Sequence, residues 1–188
     1  MSIMMTETAR PLVPVMDEAS APAEILAYAI GDCGLGRVLV ARSARGVCAI
    51  LLGDDDDVLA ADLAARFPQA RLAVRADAVR DDLAQVARFV AAPATGLFLT
   101  LDRRGTPFQR QVWAKLRAIP AGRTMTYRDL ARWISPLASP RAVARACAAN
   151  PIALAIPCHR VVRSDGGLAG YRWGIERKRE LIRREAQG

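Results

Sequence analysis

The stretch Thr106-Pro107-Phe108-Gln109 constrains this chain most, because it fixes a helix start and divides the sequence into two textures. Thr106 can cap the helix, Pro107 suits a first helical position that needs no amide hydrogen, and Gln109 can reach back to the cap. Phe108, Val112, Leu116 and Ile119 then recur on one face until Pro120-Ala121-Gly122 stops the helix. Thr126 caps a second helix with Tyr127, Leu130, Ala131 and Ile134 on one side, and Ser139-Pro140 starts a third. Short helices joined by turns suggest a helix-turn-helix. Upstream lie three apolar runs, 24–30, 37–41 and 47–52, separated by the turn-forming "GDCGLG" and "SARG", which predict an antiparallel meander. Asp54 to Asp57 open a helix with Leu59, Leu63 and Phe67 inward, since acidic residues favour a helix start. A later helix turns Leu83, Val86, Ala87 and Val90 to one face, and a further strand is expected around 97–101. The fold class expected is α+β. A small mixed α/β domain over 24–102 precedes a helical domain over 103–188, and residues 1–23, without periodicity, read as a flexible lead.

Charge divides at the same place. Residues 1–102 hold 9 basic against 14 acidic side chains, a balance of −5, whereas residues 103–188 hold 18 against 5, a balance of +13. The overall charge of +8 therefore resides in the second half, and a polyanionic partner, nucleic acid above all, is the one that half suits. No run of 18 apolar residues and no signal-peptide pattern occurs, so neither membrane insertion nor export is expected, and the chain is placed in the cytosol with reduced thiols. Cys33, Cys48, Cys147 and Cys158 lack the close spacing of zinc ligands, so no metal is expected.

In the third helix, "PRAVARACAAN", Val143, Ala146, Cys147 and Asn150 fall at inward spacing, leaving Arg141, Arg145 and Ala148 outside. Small alanines between arginines let a backbone approach a groove wall while guanidinium groups reach phosphates or bases. Further on, "IPCHRV" sets the only histidine, His159, beside Cys158. A free thiol has a pKa of roughly 8.5, and a nearby imidazole can take its proton to give the thiolate nucleophile. Adjacent side chains diverge, so the link needs either direct contact or a bridging water. In the last helix Lys178, Leu181, Ile182 and Glu185 share the inward face. A carboxylate there needs a partner, which His159, an Arg, a Lys or solvent at the helix end can supply.

The motifs "RGTPFQRQVW", "IPAGRTMTY", "RAVARACAANP", "IPCHRVV" and "GYRWGIERKRELIRREA", in that order, resemble those of the O6-alkylguanine-DNA alkyltransferases over about residues 24–186. The likeness is greatest to the branch found in bacterial adaptive-response proteins. It implies a ribonuclease-H-like α/β domain followed by a winged-helix-like DNA-binding domain, working as a monomer without cofactor on double-stranded DNA carrying O6-alkylguanine or O4-methylthymine. By the same resemblance, Cys158 is the alkyl acceptor, His159 its water-linked base, Glu185 the orienting carboxylate and Asn150 the tie between recognition helix and active-site turn. Tyr127 stands near the flipped nucleotide, Arg141 fills the gap it leaves, and Ala142 and Arg145 share the DNA-facing helix. Val161, Tyr171, Arg172 and Trp173 match the base pocket, where the indole would narrow it. The zinc-binding and promoter-binding parts of the adaptive-response proteins have no counterpart here, so self-induced transcription is not expected. A DNA-binding regulator without chemistry leaves "IPCHRV" idle, and a thiol hydrolase lacks a recognisable oxyanion-hole motif.

Overall fold

The computed structural model describes residues 23–168 and 170–187; the lead expected over 1–23 lies, but for Ala23, outside them. The first three apolar runs form β1 (Ile25–Cys33), β2 (Gly36–Ser43) and β3 (Gly46–Gly53), an antiparallel meander with a register shift at Ala41/Arg42. β1 runs further than expected: "GDC" belongs to it, and only Gly34 and Leu35 make the turn. Asp55 caps α1 (Asp56–Arg66), its side chain accepting from the Val58 amide at 2.9 Å. Leu59 and Leu63 are buried as expected, but Phe67 is the C-cap and only half-buried. The helix returns the chain to β4 (Arg71–Val74), a strand the sequence did not announce, which pairs in parallel with β1 and gives the order β3-β2-β1-β4.

α2 (Ala76–Ala91) covers β1 and β2. Its buried stripe is Val79, Asp82, Val86, Phe89 and Val90, with Leu83 and Ala87 at the margin. Asp82 reaches the stripe because Arg42 pairs with it at 2.5 Å. The strand expected over 97–101 does not form. Leu101 makes a single parallel bridge to Val47, and Phe98 is 81% exposed, so one face has nothing to pack on.

The second texture gives α3 (Pro107–Arg117), α4 (Tyr127–Ile134) and α5 (Pro140–Ala148). The capping box at Thr106 is complete: Gln109 N donates to Thr106 Oγ1 at 3.2 Å, and Thr106 N donates to Gln109 Oε1 at 2.8 Å. Thr126 and Ser139 cap the next two, their hydroxyls accepting from Asp129 N and Ala142 N at 3.1 Å each. Trp113 Nε1 donates to the Ala146 carbonyl at 2.9 Å and fixes α5 against α3. Two short parallel strands, β5 (Met125–Thr126) and β6 (Val161–Val162), join the start of α4 to the segment after the cysteine, and α6 (Ile175–Glu185) closes the chain.

One hydrophobic core runs through both textures, from Leu26 and Leu39 to Leu130, Ile156 and Leu181. The seam is made by backbone as well. On the outer edge of β3, Ile50 N donates to Pro151 O at 2.9 Å and Ala153 N to Ile50 O at 3.0 Å, so the segment leading to Cys158 extends the sheet edge. β3 is buried throughout except at Gly53, which is why its sequence reads as one apolar run rather than an alternation.

Candidate active site

Cys158, His159 and Arg160 form one 3-10 turn between α5 and β6, all buried. The turn is reached through Leu154, the only described residue other than glycine with positive φ, at 67°. Such a backbone is strained for leucine and persists only when its surroundings hold it. Asn150 does much of that holding. It is not the last inward residue of α5, as the spacing suggested, but lies two residues beyond the helix, fully buried. Its amide nitrogen donates to the Ile156 carbonyl at 2.8 Å and to Cys158 Sγ at 3.4 Å, and its oxygen accepts from Ile152 N at 2.9 Å.

Glu185 ends α6 inside the protein, and of the partners left open by the sequence, His159 and an arginine are engaged at once. His159 Nε2 lies 2.9 Å from Glu185 Oε1. Arg160 donates Nε to Oε2 at 2.9 Å and Nη2 to Oε1 at 2.8 Å, a two-pronged pair. Gly122 N, in the turn after α3, adds a longer contact of 3.4 Å. Burial opposes ionisation of Glu185, yet the bonds from His159 and Arg160 outweigh it and hold the carboxyl down to about 2. Burial pushes the His159 imidazole below its ordinary 6.5, against the pull of Glu185, so it rests neutral at pH 7. Nδ1 of the ring is buried and bonded to no protein atom among the described residues.

The thiol departs from the anion that an adjacent imidazole implied. Burial pushes Cys158 above its ordinary value, against the Asn150 bond and the charge of Lys178, so sulfur rests protonated. Lys178 is a residue the sequence reading treated only as packing. It is buried on the same face of α6 as Glu185, about two helical turns before it; its ammonium donates to the Val161 carbonyl at 2.6 Å and lies 6.0 Å from the Tyr127 ring centre. A lysine on an inward helical face carries the same signal that singled out Glu185.

A cavity of about 420 Å³ opens beside the sulfur, within the range of small-molecule sites, with Tyr127, Cys147, Ala148, Cys158, Tyr171, Arg172 and Trp173 among its lining residues. Val161, expected in that lining, is instead fully buried with its carbonyl held by Lys178. Cys147, Ala144 and Ala148 of α5 are lining residues that were not anticipated; small side chains on a helix face beside a reactive thiol were the available hint. Tyr171 and Trp173 meet edge to face, 5.1 Å apart at 71°. Their hydroxyl and indole N–H are buried without a partner among the described residues, in a cavity wall where a ligand acceptor could satisfy them. Burial pushes the Tyr127 phenol well up, so it stays a proton donor. Arg141, Arg145 and Ala148 are exposed on one side of α5 and Ala142 is half-buried, so this face adjoins the cavity through Ala148. Among the described residues no cluster of three or more His, Cys, Asp or Glu could hold a metal, and no helix is long and apolar enough to cross a membrane.

Residues 107–187 match the DNA-binding domain model of 6-O-methylguanine DNA methyltransferase. The crystal structure of Mycobacterium tuberculosis OGT in complex with DNA superposes with a TM-score of 0.73 at 30% identity, over 86% of this chain and 93% of that one. The chain belongs to the O6-methylguanine-DNA methyltransferase family. Another member's structure, from the archaeon Pyrococcus kodakaraensis, aligns at 27% identity with a TM-score of 0.64, over 85% of this chain and 98% of that one. In sequence, the chain is 53% identical over 160 residues to the bifunctional transcriptional activator/DNA repair enzyme Ada of Escherichia coli, covering 85% of this chain and 45% of Ada. It is also 51% identical over 81 residues to a methylated-DNA–protein-cysteine methyltransferase of Salmonella typhimurium, covering 43% of this chain and 47% of that protein. The chain thus spans about half the length of these curated methyltransferase relatives.

Proposed function

We propose that this chain repairs DNA by moving the alkyl group of O6-alkylguanine, and of O4-methylthymine, onto its own Cys158, once per molecule and as a monomer. The observation that carries the reading is the thiol itself: buried, bonded to Asn150, followed by His159 on Glu185, and opening on a cavity lined by two aromatic rings with unpaired donors. The O6 atom of a stacked guanine cannot reach a buried sulfur, so the damaged nucleotide must leave the helix, which costs least where pairing is already poor. α5 meets the groove with Arg141, Arg145 and Ala142. Arg141 fills the place vacated by the base, and Tyr127 lies beside the extruded nucleotide. Within this reading residues 24–102 are a ribonuclease-H-like unit and 103–188 a winged-helix-like one, the small sheet of β5 and β6 serving as its wing base. Four unpaired thiols suit a reducing compartment such as the cytosol.

The chemistry follows from the resting state. With the base in place, the Cys158 proton passes through a water to Nδ1 of neutral His159, whose Nε2–H is held by Glu185, and Lys178 stabilises the thiolate. Sulfur attacks the alkyl carbon in line, the C–O6 bond breaks, and the departing purine takes a proton with Tyr127 assisting. The product is a thioether, which offers water no acyl carbon and no good leaving group, so the protein is consumed. Intact-mass measurement after mixing with an O6-methylguanine duplex should show one added methyl, mapped to the Cys158 peptide; an unmodified Cys158 with restored guanine would refute the assignment.

Arg141→Ala should lower the yield of extruded base, read as loss of 2-aminopurine fluorescence at the lesion site, by about tenfold, while leaving undamaged-duplex affinity within about twofold, since a single phosphate-range charge contributes little. An equal loss on both duplexes would make Arg141 an ordinary backbone contact. Trp173, 5% exposed, is part of the wall of the cavity that holds Cys158, and in this reading its indole narrows the space offered to the alkyl group. Methyl adducts should therefore react at least about tenfold faster than benzyl adducts, the discrimination that filled apolar space provides. Equal rates in single-turnover assays would count against it.

A further inference from the structure

Residues 170–173 form one wall of the cavity yet belong to no helix or strand, and the chain turns from them into α6 at Gly174, whose φ of 99° suits glycine. What ties this wall to the first half of the chain is an arginine of α6. Arg177 donates Nη1 to the Trp173 carbonyl at 2.8 Å and Nε to the Leu35 carbonyl in the β1–β2 turn at 2.8 Å, and its Nη2 pairs with Asp54 just past β3. One rigid guanidinium thereby clasps the pocket backbone to the first sheet at two points. Beside it, Arg172 Nη2 donates to Asp62 of α1 at 2.6 Å, and Asp62 also accepts from Arg66 at 3.2 Å. Asp54, Asp62 and Arg177 do not line the cavity.

We propose that Arg177, together with Asp62 acting through Arg172, positions the Trp173 wall and so sets the size of alkyl group the cavity accepts. The inference rests on the alkyl-transfer reading above and assigns the first half of the chain a part in substrate choice. Weak fixation of an indole widens a pocket without altering the thiol, so the signature is a change in selectivity rather than in overall rate.

The test uses the full chain with duplexes carrying O6-methylguanine or O6-benzylguanine, timed by intact mass. In Arg177→Met the benzyl-to-methyl rate ratio should rise about tenfold, and in Asp62→Ala about threefold, as befits a partly exposed pair. Trp173→Gly should exceed both. The double exchange Asp62→Arg with Arg172→Asp should bring the ratio back towards that of the parent. A ratio unchanged in a folded Arg177→Met protein overturns the proposal, as does an unchanged ratio in Trp173→Gly. If Arg177→Met does not fold, an Asp62→Ala ratio equal to that of the parent overturns it instead. A parent protein that takes no methyl at all removes the repair reading itself, an outcome distinct from an active protein with unmoved selectivity.

Discussion

A Cys158→Ser protein should bind lesion-bearing duplex about as well as the parent and accept no alkyl group, a loss on the order of 10⁴-fold or more in rate, as when other covalent nucleophiles are removed. The hydroxyl is near enough in size to keep the Asn150 contact, so the turn should survive. What disappears is the chemistry: an alcohol proton is far harder to remove than a thiol proton, and a hydroxyl oxygen is a much poorer nucleophile than a thiolate sulfur towards a saturated alkyl carbon. Two measurements check this together, intact mass for transfer and a gel shift with methylated duplex for binding. Residual transfer mapped to Cys147, which shares the cavity, would move the acceptor from the 158–160 turn to α5. Loss of binding along with transfer would instead point to collapse of the 158–160 turn.

Glu185→Gln should cost about 3 to 5 kcal/mol of folding stability, because it leaves the Arg160 guanidinium buried without its counter-charge. Transfer should slow as well, since the His159 ring loses the anionic acceptor that holds its Nε2–H and stabilises the imidazolium when the ring takes the thiol proton. The pH dependence separates the parts. Glu185 is held at about 2 against an ordinary 4.5, so its contribution is complete above 4.5 and lost as pH falls through 2. His159 is also depressed, so the unfolded chain binds a proton first, and stability declines as pH drops below 6.5. Cys158 is raised, and there stability declines as pH rises above 9. The acid limb of the transfer rate should therefore lie below 6.5, where His159 finally protonates. A limb at or above 6.5 in single-turnover profiles would contradict a neutral resting imidazole.

Much of this was legible in the sequence, and the gaps have physical causes. Thr106, Thr126 and Ser139 announced three helix starts because a cap is a local bond made by residues three apart. The apolar runs announced the meander. β4 escaped notice because Arg71–Val74 is four residues long and only half-buried, and it exists by pairing with β1 some forty-five residues earlier. The strand expected at 97–101 had the composition but not the neighbours. At the site, Glu185 stood out as a charge on an apolar face; Arg160 did not, since nothing local says that an arginine in "CHRV" will turn inward to Glu185 rather than outward to DNA. Asn150 kept its burial and lost its helix, because the chain leaves α5 at Ala148 to meet the edge of β3.

That edge contact reaches beyond packing. Ile50 exchanges two backbone bonds with the run that delivers Cys158, so the acceptor loop is a rib of the sheet rather than an attachment to it. Heat should therefore find no separate module to melt first. Calorimetry of the whole chain should give a single heat-absorption peak whose van't Hoff and calorimetric enthalpies agree, and two resolved peaks would show the seam to be dispensable.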